Sequence, residues 1–423
     1  MSLDEPLIKR SFSFNVLTLA GGTAFAQAIG LLVVPLLTRL YTPSDFGFYA
    51  QYTAFFNLLV PLAHFQYALA IMLPKEDSEA LEVFRLSLRL AVFFVVVLFT
   101  ILIFNDNSLI PLPEIFDKHW LLTLVSLAVV LGSTVLSFNE WSNRMKNYFI
   151  MSASRVSQVG GMVISQSVAG LIWGSTLPGL VAGHFLGYVF GLGVMVKGNK
   201  TLKGKPLFFS PVKPLINSLV RYKRFPLYNS WGTLLEGISS FGVPLMLAMY
   251  FQSDMVGNYA LAHTALSAPI MLIGHSISQV LYQRMSENIK NGLDIKDMVF
   301  AVLFRQFLLS LLIALVIYFF GPALFRFFFG DQWSSAGHFA QILVPSMFFQ
   351  FIISAISNVL LVKERQDLLL LAQIIRAIIT IVSILAPGMM GLDEIDLLIV
   401  FSVSRALSNM VYLAIICKVA RIL

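Results

Sequence analysis

The feature that most constrains this chain is a succession of apolar runs, each long enough to cross a bilayer and separated by short connectors. A helix needs about 20 mostly apolar residues to span the hydrocarbon core. Runs of that kind occupy 14–37, 46–73, 83–104, 120–138, 148–173 and 177–196, and then 227–251, 255–281, 300–320, 339–361, 368–389 and 397–417. That predicts an all-α integral membrane protein of about twelve transmembrane helices. Composition excludes the soluble alternative. Of the 423 residues 57% are hydrophobic and only 12% charged, and the mean hydropathy is +0.81. A soluble core of this size needs a charged surface that so few ionisable residues cannot supply. The stretch Ala24-Phe25-Ala26 resembles a signal-peptidase site, but the apolar run continues past it through Val34, so the first run is read as an uncleaved span.

Lysine and arginine fix the expected orientation. With the N-terminus inside, the termini and inner loops carry twenty of them, including Lys9, Arg10, Lys75, Arg144, Lys146, Arg284, Lys363, Arg365, Lys418 and Arg421. The opposite side carries Arg39, Lys118 and Arg326. Cytoplasmic loops are the positive ones, so both termini are expected in the cytoplasm. A miscount of one helix would scramble this alternation.

A basic connector, 197–226, separates an N-terminal six-helix half (1–196) from a C-terminal six-helix half (227–423). The sequence repeats across it. Val34-Pro35-Leu36 returns as Val243-Pro244-Leu245, Asp45 as Asp254, and Gly47-Phe48-Tyr49-Ala50 as Gly257-Asn258-Tyr259-Ala260. Six spans separate the copies, so they point the same way across the membrane, as parallel repeats do.

Charges within spans are costly and face a cavity or a partner. Arg85, Arg89 and Arg305 lie near the cytoplasmic ends of their spans and can snorkel to the interface. The charges left deep within spans are Arg155, Arg376 and Arg405, with one acid, Glu236. Each lies on a polar stripe at helical spacing: Arg155, Gln158, Ser165 and Gln166; Asn229, Thr233, Glu236 and Ser240; Gln373, Arg376, Thr380 and Ser383; Ser402, Arg405, Asn409 and Tyr412. A weaker stripe on the tenth span includes Gln350. The simplest common destination is a hydrated cavity with a net positive wall. Two readings of the arginines follow. They bind an anion, whose oxygens match the guanidinium fork, or they are satisfied by Glu236 and by helix carbonyls. Glu236 is in turn either an ion-coupling carboxylate, for a proton or sodium, or a fixed partner of an arginine. His64, His184, His263 and His275 read as packing residues more readily than as proton relays. Gly179, Gly183, Gly187 and Gly191, spaced by four on the sixth span, read as a helix-packing face. Cys417 is the one cysteine, which excludes an internal disulfide, and no metal-ligand spacing or P-loop occurs, so neither metal, nucleotide nor nucleic acid is expected.

The stretch Phe14-Asn15 through Gly21-Gly22, Gln27, Pro35, Thr38-Arg39, Thr42-Pro43, Asp45 and Gly47, with Ala68, Ile71 and Pro74, resembles the opening of polysaccharide biosynthesis proteins of the Wzx flippase type. Pro269, Ile273-Gly274, Ser276, Gln279-Val280 and Arg284 to Glu287 fit the same pattern in the second half. The resemblance implies a V-shaped, alternating-access bundle of two six-helix halves, in the larger group that includes multidrug and toxin extruders. It implies a substrate too: undecaprenyl-pyrophosphate-linked oligosaccharide repeat units, moved from the inner to the outer leaflet of the bacterial inner membrane. Its pyrophosphate would suit Arg155, Arg376 and Arg405, and its sugars the Asn229, Gln350, Gln373, Asn409 and Tyr412 side chains. Other polysaccharide-assembly membrane proteins are possible partners alongside membrane lipids. Two alternatives stay open: an ion-coupled extruder of the same fold, against which the cationic residues weigh, and a membrane enzyme of polysaccharide assembly. The latter usually carries a large outer loop, whereas the longest here are expected to be 105–119 and 321–338.

Overall fold

The computed structural model describes residues 5–103, 119–207 and 212–422, without the side chains of residues 5–20, His119, Val212, Met271 and His275. The outer connector expected over 105–119 falls almost wholly outside these residues, as does Lys118, and the side chains of Lys9 and Arg10 are among those not described. The described chain is helical throughout. Ten of its helical segments are long and apolar enough to cross a membrane. The other two expected spans are helical as well, but each is shorter or broken, for reasons visible in their residues.

Two compact units divide the chain: residues 1–41 with 51–237, and residues 42–50 with 238–423. The first unit holds α1 (Glu5–Leu40), most of α2 (Pro43–Ala63), α3 (Asp77–Ile103), α4 (His119–Arg144), α5 (Tyr148–Trp173) and α6 (Leu177–Gly198). Here the expected second span, 46–73, is corrected. Helix α2 stops at Ala63 because Phe65 and Gln66 take left-handed φ values of 48° and 61°. The Gln66 side chain donates to the Pro61 carbonyl at 2.7 Å and so satisfies an acceptor at the frayed end. A 3-10 turn, Tyr67–Met72, follows. Arg144 on α4 then gathers this connector. Its guanidinium donates to the carbonyls of Ile71 (3.1 Å) and Pro74 (2.8 Å) and to the Asp77 carboxylate (2.9 Å). Beneath lies an aromatic core in which Phe84 packs on Phe138 and Trp141, ring centroids 5.1 and 5.7 Å apart.

Helices α5 and α6 run in close contact through the glycine face read from the sequence. A β-carbon on Gly187 would sit 2.7 Å from the Gln158 carbonyl oxygen, so only glycine lets the backbones approach this far. Gln166 donates to the Leu180 carbonyl at 3.0 Å across the same contact, which commits it to packing.

The second unit holds the first turns of α2, the end of α8 (Ser230–Phe241), α9 (Val243–Leu247), α10 (Ser253–Pro269), α11 (His275–Lys290), α12 (Lys296–Phe329), α13 (Ser334–Ile356), α14 (Val359–Val362), α15 (Gln366–Met389) and α16 (Glu394–Val419). The expected seventh span, 227–251, is interrupted at Gly242, between α8 and α9. Pro244 has no N–H to continue the ladder and disfavours helix in the residue before it. Pro269 likewise precedes a π-helical stretch, Ile270–Gly274, that joins α10 to α11. A third correction concerns the outer connector expected over 321–338. Helix α12 runs on to Phe329, and only Gly330, with φ +108°, and the 3-10 turn Asp331–Trp333 separate it from α13. The apolar residues Phe325 and Phe327 to Phe329 continue the helical pattern, and Gly330 supplies the conformation that ends it.

The two copies of the sequence repeat meet inside this unit. Thr42 and Asp45 cap α2 reciprocally: the Asp45 carboxylate accepts from the Thr42 N–H at 3.1 Å, and the Thr42 hydroxyl oxygen accepts from the Asp45 N–H at 3.2 Å. This places Gly47 directly against Gly257 on α10. A β-carbon on Gly47 would collide with the Ser253 carbonyl oxygen, and one on Gly257 with the Pro43 carbonyl oxygen.

Candidate functional site

Among the described residues, the charged side chains expected to meet a ligand concentrate on α15 and α16 of the second unit. Arg405 is buried. Its Nη1 donates to the Thr380 hydroxyl at 2.7 Å and to the Ser239 carbonyl at 3.3 Å. Its guanidinium carbon lies 6.0 Å from the centre of the Phe401 ring, one helical turn earlier on α16. The Thr380 hydroxyl donates onward to the Arg376 carbonyl at 2.8 Å. One threonine hydroxyl thus links the backbone of one arginine to the guanidinium of the other.

Arg376 is half-buried, and its guanidinium has no hydrogen-bond or ion-pair partner among the described residues. The two arginines are near enough for the charge of Arg376 to act on Arg405, and for Arg376 to act on the buried Tyr412 hydroxyl. Arg405 acts similarly on Tyr259 and His263 of α10. None of the ion pairs among the described residues includes Arg155, Arg376, Arg405 or Glu236. Two like charges with no carboxylate beside them raise each other's cost in a low dielectric. Thr380, Ser239 and Phe401 hold only one edge of Arg405. A guanidinium has five N–H donors in a fixed fork, so most of those on this pair are unspent. The arrangement is suited chemically to bind a multivalent oxyanion.

The remaining expected site residues fall as follows. Gln373 precedes Arg376 by one turn of α15 and is half-buried. Gln350, on α13, is half-buried as well. Asn409 is buried and donates to the Ser346 carbonyl at 3.2 Å, tying α16 to α13. In the first unit Arg155 is exposed and donates to the Gln158 side chain at 3.2 Å. Asn229 lies in a π-helical turn, Phe225–Asn229, and both it and Glu236 on α8 are exposed. His184 is held among Tyr52, Phe56 and Tyr188, with its Nδ1 3.0 Å from the Tyr52 hydroxyl. His64 is buried with both ring nitrogens lacking a hydrogen-bond partner among the described residues.

Sequence reasoning placed Thr380 on the arginine stripe but did not see it as the link. The signal was its spacing, four residues after Arg376, from which a threonine hydroxyl reaches back to the carbonyl. Phe401, four before Arg405, was legible in the same way. Tyr259 was read only as part of the repeat.

Residues 36–338 match the family model described as "polysaccharide biosynthesis protein". The chain belongs to the polysaccharide biosynthesis protein family. No curated protein matches its sequence. Among solved structures it is similar to the lipid II flippase MurJ in an inward closed conformation, at 14% identity and a TM-score of 0.71, over 95% of this chain and 87% of that one. It is also similar to an inward-facing multidrug resistance MATE family transporter of the MOP superfamily, at 15% identity and a TM-score of 0.58, over 93% and 96% of the two chains. The eukaryotic MATE transporter AtDTX14 follows at 13% identity and a TM-score of 0.55, over 97% of each. At these identities the likeness establishes the fold: this family member has the all-helical architecture shared by MurJ and the MATE transporters.

Proposed function

We propose that this protein is a flippase for undecaprenyl-pyrophosphate-linked oligosaccharide repeat units, carrying them from the cytoplasmic to the periplasmic leaflet of the bacterial inner membrane by alternating access. The observation that carries this reading is the arginine pair: among the described residues Arg376 has no partner and Arg405 is held along one edge, with no carboxylate bonded to either. A pyrophosphate bears about two negative charges and presents paired oxygens to guanidinium forks. Arg376 and Arg405 take these oxygens. Gln373, Tyr412 and Gln350 of the same unit offer hydrogen bonds to sugar hydroxyls, as does the oxygen of the Asn409 amide. The lipid tail stays in the bilayer. Glu236 is the coupling carboxylate, for a proton or sodium, and both termini face the cytoplasm. Family membership supports polysaccharide assembly as the process, and the fold supports transport rather than catalysis.

A second reading, an ion-coupled extruder of small molecules, draws on the MATE-like fold. The unpaired arginines count against a cationic cargo.

The test is leaflet exposure of a pyrophosphate-linked oligosaccharide lipid in proteoliposomes. Wild type should expose it, and Arg376→Ala and Arg405→Ala should each lower the rate at least tenfold. Flipping that survives both substitutions makes the arginines structural. No flipping by folded wild type under an ion gradient favours the extruder.

A further inference from the structure

From Lys197 to Arg224 the chain carries eight basic residues, Lys197, Lys200, Lys203, Lys205, Lys213, Arg221, Lys223 and Arg224, and no acid appears before Glu236. All eight side chains are exposed. This segment was expected to be a connector, but it contains a helix of its own, α7 (Val212–Arg221). Leu215 and Ser218 are buried against the first unit, together with Tyr222 just beyond the helix. The Tyr67 hydroxyl donates to the Leu219 carbonyl at 2.9 Å, and Arg221 pairs with Glu79 of α3. The helix is therefore anchored along one edge.

A second edge is apolar and uncovered. Ile216 is 54% exposed, Val220 55% and Leu219 40%. At about 100° per residue these three fall within roughly 100° of helix surface, next to Lys213, while Asn217 and Arg221 turn to the remaining side. Such a helix has three distinct faces: one on the protein, one apolar and one polar. An apolar edge fringed by unpaired cations is what a helix in the lipid interface presents. The partner it fits is negatively charged and has an apolar interior, which describes a leaflet containing anionic phospholipid. Basic residues near such a surface are attracted to it, and salt screens that attraction within a Debye length.

We propose that α7 and its flanking lysines form a docking surface for anionic phospholipid headgroups, with Ile216, Leu219 and Val220 inserted among the acyl chains. The spans hold the protein in the bilayer regardless of lipid charge, so the surface sets how α7 lies rather than whether the protein is membrane-bound. Neither the substrate nor the transport reading enters this inference.

The test uses the full chain with Cys417→Ser, labelled with a nitroxide at Val220→Cys, in nanodiscs of phosphatidylcholine with or without phosphatidylglycerol. Collisions with oxygen, which concentrates in lipid, are compared with those of a water-soluble nickel chelate. The label should favour oxygen at least threefold more in the phosphatidylglycerol discs, and 0.5 M salt should remove the difference. A label at Asn217→Cys should remain water-accessible in both. Lys213→Gln with Lys223→Gln and Arg224→Gln should abolish the lipid dependence, and the salt series gives the same answer if that variant does not fold. Water accessibility of position 220 in both disc types overturns the proposal, as does equal burial in both. Protection by added RNA instead of anionic lipid overturns it in favour of a nucleic-acid partner.

Discussion

Gly47 and Gly257 face each other across a helix crossing so close that a β-carbon on either would strike a backbone carbonyl belonging to the other's helix. The contact is reciprocal. Gly47 meets Ser253 and Gly257 meets Pro43, and in each pair of equivalents, Pro43 with Ser253 and Gly47 with Gly257, the two are 210 positions apart. The sequence repeat is thus also a contact, and the glycines recur because each copy's helix start needs the other's backbone at van der Waals distance.

Gly47→Ala and Gly257→Ala are each expected to cost about 1–3 kcal/mol, because backbone cannot yield as a flexible side chain does. Thermal denaturation of the detergent-purified protein measures this. Gly160→Ala is the control. A β-carbon there meets nothing within 4 Å, so the substitution should be neutral or stabilise by up to about 1 kcal/mol.

Thr380→Val should free the guanidinium of Arg405 from its short hydrogen bond at 2.7 Å while keeping the side-chain volume. A hydrogen bond to a charged group contributes about 1.5–3 kcal/mol, so flipping should fall about tenfold or more. Thr380→Ser, which retains the hydroxyl, should stay within about twofold of wild type. Equal loss in both would assign the position to packing.

Arg144→Ala should destabilise the first unit by about 3 kcal/mol, since it leaves the Ile71 and Pro74 carbonyls and the Asp77 carboxylate without their shared donor. Arg144→Lys should recover less than half of the loss, because one ammonium cannot match a planar fork that reaches three acceptors. Melting temperature reads both.

Much of this architecture was legible because a bilayer imposes a length and a polarity on each span, and those are written in consecutive residues. The ends of α5 at Tyr148 and Trp173 coincide with the apolar run. What was missed depends on contacts rather than hydropathy. Nothing in the apolar run from Phe46 to Leu73 marks the left-handed pair Phe65 and Gln66. The residues from Gly321 to Phe329 look like a loop by their glycine and proline, yet their phenylalanines keep the helix going. At the candidate site, the arginines themselves stood out as charges in apolar surroundings. Which of their donors are already spent was not legible, because Ser239 lies on a distant stretch of sequence and bonds to Arg405 through its carbonyl. The connector shows the same limit. Its charge was obvious, but α7 became visible as a three-faced helix only once Leu215 and Tyr222 were seen to be buried.

In the proposed function Arg376 and Arg405 together hold a pyrophosphate. Equilibrium binding of a pyrophosphate-linked oligosaccharide lipid to the purified protein in nanodiscs, against the same oligosaccharide on an uncharged lipid, tests it most directly. Wild type should prefer the pyrophosphate lipid at least tenfold, and Arg376→Ala and Arg405→Ala should each erase the preference while leaving affinity for the uncharged lipid unchanged. Equal affinity of wild type for the two lipids would contradict it, as would a preference that persists in both variants.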